Sequence, residues 1–118
     1  MGEVINKKVW SHNFASMADI DLDLGDYSKY YGVELQFEWA GLDAANGVVA
    51  FLQRDDPSMS WDIPVNPSGS SLSYIMTTAA GSVTLQNGDL GSTYIGVRVA
   101  KNGNSTGTLS VFLTAKEF

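Results

Sequence analysis

Between Gly32 and Gly41 the chain reads GVELQFEWAG, with an apolar side chain at every second position. Val33, Leu35, Phe37 and Trp39 point to one side of an extended backbone, and Glu34, Gln36 and Glu38 point to the other. A segment of this kind is a strand with one wet face, the type found in antiparallel sheets. The same period recurs along the chain. DIDLDLGD sets Ile20, Leu22 and Leu24 against Asp19, Asp21 and Asp23, and SVTLQ offers Val83 and Leu85. TYIGVRVAK offers Ile95, Val97 and Val99 with Arg98 facing away, and GTLSVFLTAKE offers Leu109, Val111 and Leu113. GVVAFLQR is apolar at successive positions, which predicts a central strand covered on both faces. SLSYIMTT reads as a further strand of weaker register.

Turn signals separate these runs. The pairs Asn46-Gly47, Asn87-Gly88 and Asn102-Gly103 supply the positive φ that tight hairpins need. No segment sustains a helical period, so no long helix is expected. About eight or nine short strands at regular spacing predict an all-β chain, an antiparallel β-sandwich of jelly-roll-like type. At 118 residues it is one domain. Residues 14–118 are read as the sandwich and residues 1–13 as an N-terminal arm that either docks elsewhere or adds an edge strand.

Charge and composition narrow the function. Seven basic against 13 acidic residues leave a net charge of −6, and Lys7-Lys8 is a pair rather than a patch. Nucleic acid and anionic membrane are therefore disfavoured as partners. With no cysteine there is neither disulfide nor thiolate chemistry. The N-terminus has no apolar signal-like core and no run is long enough to span a bilayer, so synthesis and folding in a cytoplasm are expected.

Chemistry-bearing residues are sparse. His12 is the only histidine, and its neighbour Ser11 faces the opposite side of any strand that contains both. No catalytic residue is assigned, and His12 is expected at a surface or interface. Asp19, Asp21 and Asp23 share a strand face about 7 Å apart and are read as a solvated acidic face rather than a calcium cage. In QRDDPSMSWDIPV, Asp55-Asp56 lacks calcium-loop spacing and runs at once into Pro57, so the stretch is read as a turn. No metal or cofactor is expected. Asn104-Ser-Thr matches a glycosylation sequon but sits in a tight hairpin, where it serves the turn. Tyr27, Tyr30 and Tyr31, crowded into DYSKYYG, and Trp61 remain as a candidate glycan-binding or partner surface, with rim packing as the alternative.

Taken together, three stretches resemble small β-sandwich domains of tailed-bacteriophage virion proteins. They are DIDLDLGDYSKYYGVELQFEWAGLDAANGVVAFLQ, then a polar turn with SWDIPV, then SVTLQNGDLGSTYIGVRVAKNGNSTGTLSVFLTAKE. The matching positions are Leu24, Gly25, Trp39, Gly41, Asp55, Trp61, Tyr94, Val97, Lys101, Asn102, Gly107, Thr108 and Leu109. They are core and turn positions covering roughly residues 18–117, and the chain departs from the group in carrying Asp-Pro where Asn-Asp-Gly is usual. The resemblance implies a non-enzymatic structural protein of the virion, found there as capsid decoration, head fibre or tail appendage. A chain of this length without collagen-like or coiled-coil repeats fits a capsid decoration protein best. The implied partners are the major capsid protein or another virion protein, and further copies of the chain, with a trimer favoured. The alternative is a sugar-binding or adhesion module that contacts a surface glycan. Val4, Ile5, Lys7, Lys8, Val9 and Trp10 in the arm are the candidate docking residues.

Overall fold

The computed structural model describes residues 4–44, 46–66, 68–87 and 94–117. Its strands are β1 (Val4–Asn13), β2 (Ile20–Asp26), β3 (Tyr30–Ala40), β4 (Gly47–Arg54), β5 (Ser73–Met76), β6 (Gly81–Asn87), β7 (Tyr94–Ala100) and β8 (Thr108–Glu117). They form two antiparallel four-stranded sheets, ordered β1-β8-β3-β6 and β2-β7-β4-β5. Strand β1 pairs with β8, β2 with β7, β3 with β6 and β4 with β5. The chain is thus one long antiparallel ribbon, folded at the β4–β5 connection and rolled so that its two layers face each other. That is a jelly-roll β-sandwich, and the described residues contain no helix.

The alternation in the sequence is the alternation in the fold. Val33, Leu35, Phe37 and Trp39 are buried, and Gln36 and Glu38 are exposed. Ile95, Val97, Val99, Leu109, Val111 and Leu113 meet them from β7 and β8. Trp39 donates its indole N–H to the Thr78 carbonyl at 3.0 Å, so its one polar atom is satisfied inside the core.

Strand β4 is apolar on both faces because both faces are covered. Val49 and Phe51 enter the space between the sheets. Ala50 and Leu52, on the opposite side, are also buried, beneath the segment that follows β4. That segment folds back along the strand: Gln53 and Asp62 exchange backbone hydrogen bonds at 2.8 Å, and Phe51 N–H donates to Leu72 at 2.9 Å. Trp61 is thereby laid over Gly96, the cross-strand partner of Leu52. A Cβ at Gly96 would stand 2.9 Å from the Trp61 ring and 2.7 Å from the Leu22 carbonyl oxygen, so only glycine fits there.

The AKNGNSTG stretch is not the hairpin its turn residues suggest: β7 and β8 lie in different sheets, so the stretch crosses between them at one end of the sandwich, where side chains fasten it to the β3–β4 connection. Asn102 and Gly103 take the positive φ values of 46° and 96° that the turn requires. Asp43 accepts the Ser105 hydroxyl and the N–H groups of Ser105 and Thr106. These bonds, the Ser105 hydroxyl foremost, hold its carboxyl down to a pKa of about 2. Asn104 is buried, accepting from Ala44 N–H at 2.7 Å and donating to the Lys101 carbonyl at 2.8 Å, so its amide is committed to the turn. In Asn46-Gly47 the glycine does not supply the positive φ expected of it, because Gly47 already belongs to the extended backbone of β4 and the nearby positive φ falls at Gly41. Gly88, of the third Asn-Gly pair, lies outside the described residues.

Residues 4–13, for which arm and edge strand both stood open, have the backbone of an edge strand. β1 pairs along its length with β8, interrupted by a bulge between Lys8 and Trp10.

Candidate functional site

Strands β1 and β2 end their sheets on the same side of the sandwich, and a groove of about 450 Å³ opens between them. From β1 it is lined by Lys7, Lys8, Val9 and Trp10, and from the β2 side by Leu22, Asp23, Leu24 and Tyr27. Ile5, Val9, Trp10 and Leu24 are half-buried against the core, whereas Val4 is 59% exposed. Lys7 sits opposite Leu113, and residues directly opposite on antiparallel strands share a face, so this ammonium stands at an inward-facing position of an edge strand. An inward charge next to a bulge discourages a further strand from pairing there. The edge is therefore suited to side-chain docking rather than to sheet extension.

Asp19, Asp21 and Asp23 are exposed along and just before β2, a solvated acidic face in which each carboxylate also has a partner. Arg98 grips Asp21 with two bonds of 2.8 and 3.0 Å. Arg54 bonds Asp23 at 3.0 Å, and Asp19 accepts the Lys101 backbone N–H at 2.8 Å. Lys7 and Lys8, by contrast, are exposed and make no ion pair among the described residues. The β1 side of the edge thus presents these two unpaired ammonium groups, and the β2 side keeps Asp19 and Asp26, whose partners are uncharged backbone N–H groups.

The candidate aromatic surface of Tyr27, Tyr30, Tyr31 and Trp61 does not assemble, and packing, its alternative, accounts for three of the four rings. Tyr27 and Tyr30 belong to the core, with ring centroids 5.3 Å apart. The cause is local. Asp26 accepts Ser28 N–H at 2.8 Å and Tyr30 N–H donates to the Tyr27 carbonyl at 3.0 Å, a turn that swings both rings inward. Burial also pushes the Tyr27 hydroxyl above its ordinary pKa. Tyr31, displaced by a bulge between Tyr30 and Gly32, alone stays exposed. Trp61 is half-buried between Gly96 and the Arg54 guanidinium, which lies 3.9 Å from its ring. Its role is to seat the loop on the sheet.

His12 is also misplaced by the sequence. It faces the core opposite Leu109 and is 2% exposed. Its Nδ1 accepts the Trp10 indole N–H at 3.4 Å, its ring meets Phe14 edge-on at 5.0 Å, and Nε2 is buried with no hydrogen-bond partner among the described residues. Desolvation lowers its pKa, against an opposing pull from Asp19 and with a smaller lowering by Lys101. Ser11 points away and is exposed, so the two residues do not form a nucleophile–base pair. In the acidic stretch, Asp56 accepts the N–H and hydroxyl of Ser58 at 2.9 and 2.6 Å, a side-chain-capped turn. Among the described residues no three His, Cys, Asp or Glu side chains gather as a metal site.

Leu22 and Leu24 were read from the sequence only as core, and their place in the edge groove was missed. The signal was present in DIDLDLGD, a strand whose inward residues count as core only if another strand follows it in the sheet.

No protein-family model and no curated protein matches the sequence. Among solved structures, the fold is similar to the SPBc2 prophage-derived protein YomS, with 15% identity, a TM-score of 0.45 and 96% of each chain covered. It is also similar to a protein from Bacillus endospore appendages, described as disulfide-linked pili, with 11% identity, a TM-score of 0.44, and 99% of this chain and 89% of that chain covered.

Proposed function

We propose that the chain is a structural, non-enzymatic component of a tailed-phage particle, a capsid decoration protein that binds the assembled shell. A jelly roll serves capsid and lectin domains alike, so the topology is compatible with this reading without selecting it. The observation that carries it is the β1 strand of that edge, where Val4, the Lys7-Lys8 ammonium groups and the Trp10 groove form a partly apolar strip bearing two positive charges. A strip of this kind complements an acidic, ridged surface such as a capsid protein presents. The sequence resemblance to virion domains supplies the context. The protein acts on the virion surface as a homo-oligomer, a trimer favoured, after synthesis in the host cytoplasm.

Co-sedimentation with capsids of the phage or prophage that encodes the chain tests the reading. The intact protein should pellet with shells at low salt and be released as ionic strength rises. The double variant Lys7→Glu/Lys8→Glu should stay in the supernatant while melting normally. Failure of the intact protein to pellet at low salt would sink the proposal.

A further inference from the structure

A second recess lies on the outer face of the β1-β8-β3-β6 sheet, centred on β3 two strands in from the β1 edge, with a volume of about 90 Å³. Glu34 is paired in register with Thr114 of β8 on one side and Gln86 of β6 on the other. Adjacent strands are about 4.8 Å apart, so these three polar side chains form a row roughly 10 Å across. The next position along β3 on that face is Gly32, opposite Lys116, and having no side chain it leaves the sheet backbone as the floor of the recess. Tyr31, pushed outward by its bulge and 43% exposed, forms a wall. The recess holds several waters by the measure of about 10–15 Å³ each, the scale of one hydroxylated ring rather than an extended chain.

Its chemistry is mixed in a particular way. Glu34 only accepts hydrogen bonds, Lys116 only donates them, and Gln86 and Thr114 do both. Sugar hydroxyls also donate and accept, and the apolar face of a pyranose suits an aromatic ring. Glu34 in the recess and the net charge of −6 disfavour an anionic sugar. We propose that this recess binds one unit of a neutral saccharide, with the Tyr31 ring as its stacking face and Glu34, Gln86 and Thr114 as its hydroxyl partners. The site is separate from the Tyr27, Tyr30 and Trp61 surface, which the fold has consumed.

Saturation-transfer NMR with glucose, galactose, mannose and N-acetylglucosamine, each at tens of millimolar, tests the site. Transfer to the ring protons of at least one sugar is expected from the intact protein. Glu34→Gln should weaken it about five-fold, the weight of one hydrogen bond, and Tyr31→Ala should abolish it. If Tyr31→Ala fails to fold, Tyr31→Phe, which keeps the stacking ring, should retain most of the transfer while Glu34→Gln still weakens it about five-fold. The capsid-edge variant Lys7→Glu/Lys8→Glu should bind sugar normally, so failure of one proposal is distinguishable from failure of the other. No transfer to any of the four sugars, or equal transfer from the intact protein and Glu34→Gln, overturns the assignment.

Discussion

The guanidinium of Arg54 stacks 3.9 Å from the ring of Trp61 while its two amino groups bond the Met59 carbonyl at 3.1 Å and the Asp23 carboxylate at 3.0 Å. One side chain thus joins β4, the loop after it and the edge strand β2. Its side chain is only 15% exposed, so these contacts are shielded more than an ordinary surface pair. Arg54→Ala should lower stability by about 1–3 kcal/mol, combining a desolvated cation–π contact with charge-assisted hydrogen bonds. Urea unfolding measures this, and a change within about 0.5 kcal/mol, typical of neutral surface sites, would show the stack to be decoration.

Gly96 has no room for a methyl group between the Trp61 ring and the Leu22 carbonyl. Gly96→Ala should cost about 1–3 kcal/mol through displacement of the loop or of β2. If it leaves the melting temperature unchanged, Trp61 does not rest on the sheet as described.

Stability should depend on pH in two separate windows. His12 titrates lower in the folded protein than its ordinary 6.5, chiefly because burial disfavours the imidazolium. Stability is therefore full above about 6.5 and declines below it, as the unfolded chain takes up a proton that the native state refuses. Asp43 adds a second loss: its stabilisation is complete above the ordinary 3.8 and disappears as pH falls towards about 2. Thermal melts from pH 8 to pH 3 should show the first decline, and His12→Leu should remove it. The same decline in that variant would assign it to another group.

Chelation should do nothing, because Asp56 is engaged with Ser58 and Asp21 and Asp23 with arginines. Melting curves with and without EDTA should superimpose. A fall of more than about 5 °C, around 1 kcal/mol for a domain of this size, would point to a bound ion.

What the sequence disclosed, and what it hid, follows from where the pleat is regular. Val33 to Trp39 and Leu109 to Leu113 alternate without interruption, and their burial was legible residue by residue. In β1 the parity changes at the bulge. Ile5 and Lys7 share the inner face before it, and Trp10 and His12 share that face after it. An inserted residue turns every later side chain to the other face, so a straight count along VINKKVWSHN cannot find the buried His12. Tyr27 and Tyr30 eluded the reading for a related reason: their direction is set by the turn between them, where no period applies. The candidate edge was legible in composition, through Lys7, Lys8 and Trp10. Its other wall, Leu22 and Leu24, depends on which strands lie outermost, a long-range outcome.

The pairing of β4 with β5, β3 with β6, β2 with β7 and β1 with β8 also prescribes an order of events. Each successive pair closes a longer loop, with a larger entropic cost to be met before its contacts form. Folding should start at the β4–β5 crease, the pair nearest in sequence among the four, and proceed outward on the millisecond-to-second scale common to sheet proteins of non-local topology. β1, whose partner β8 lies nearly the whole chain away, is the strand that seats last and the first to fray. The strip proposed to meet the capsid is therefore the most easily loosened part of the sheet, and a partner that grips it would slow the molecule's unfolding as well as hold it in place.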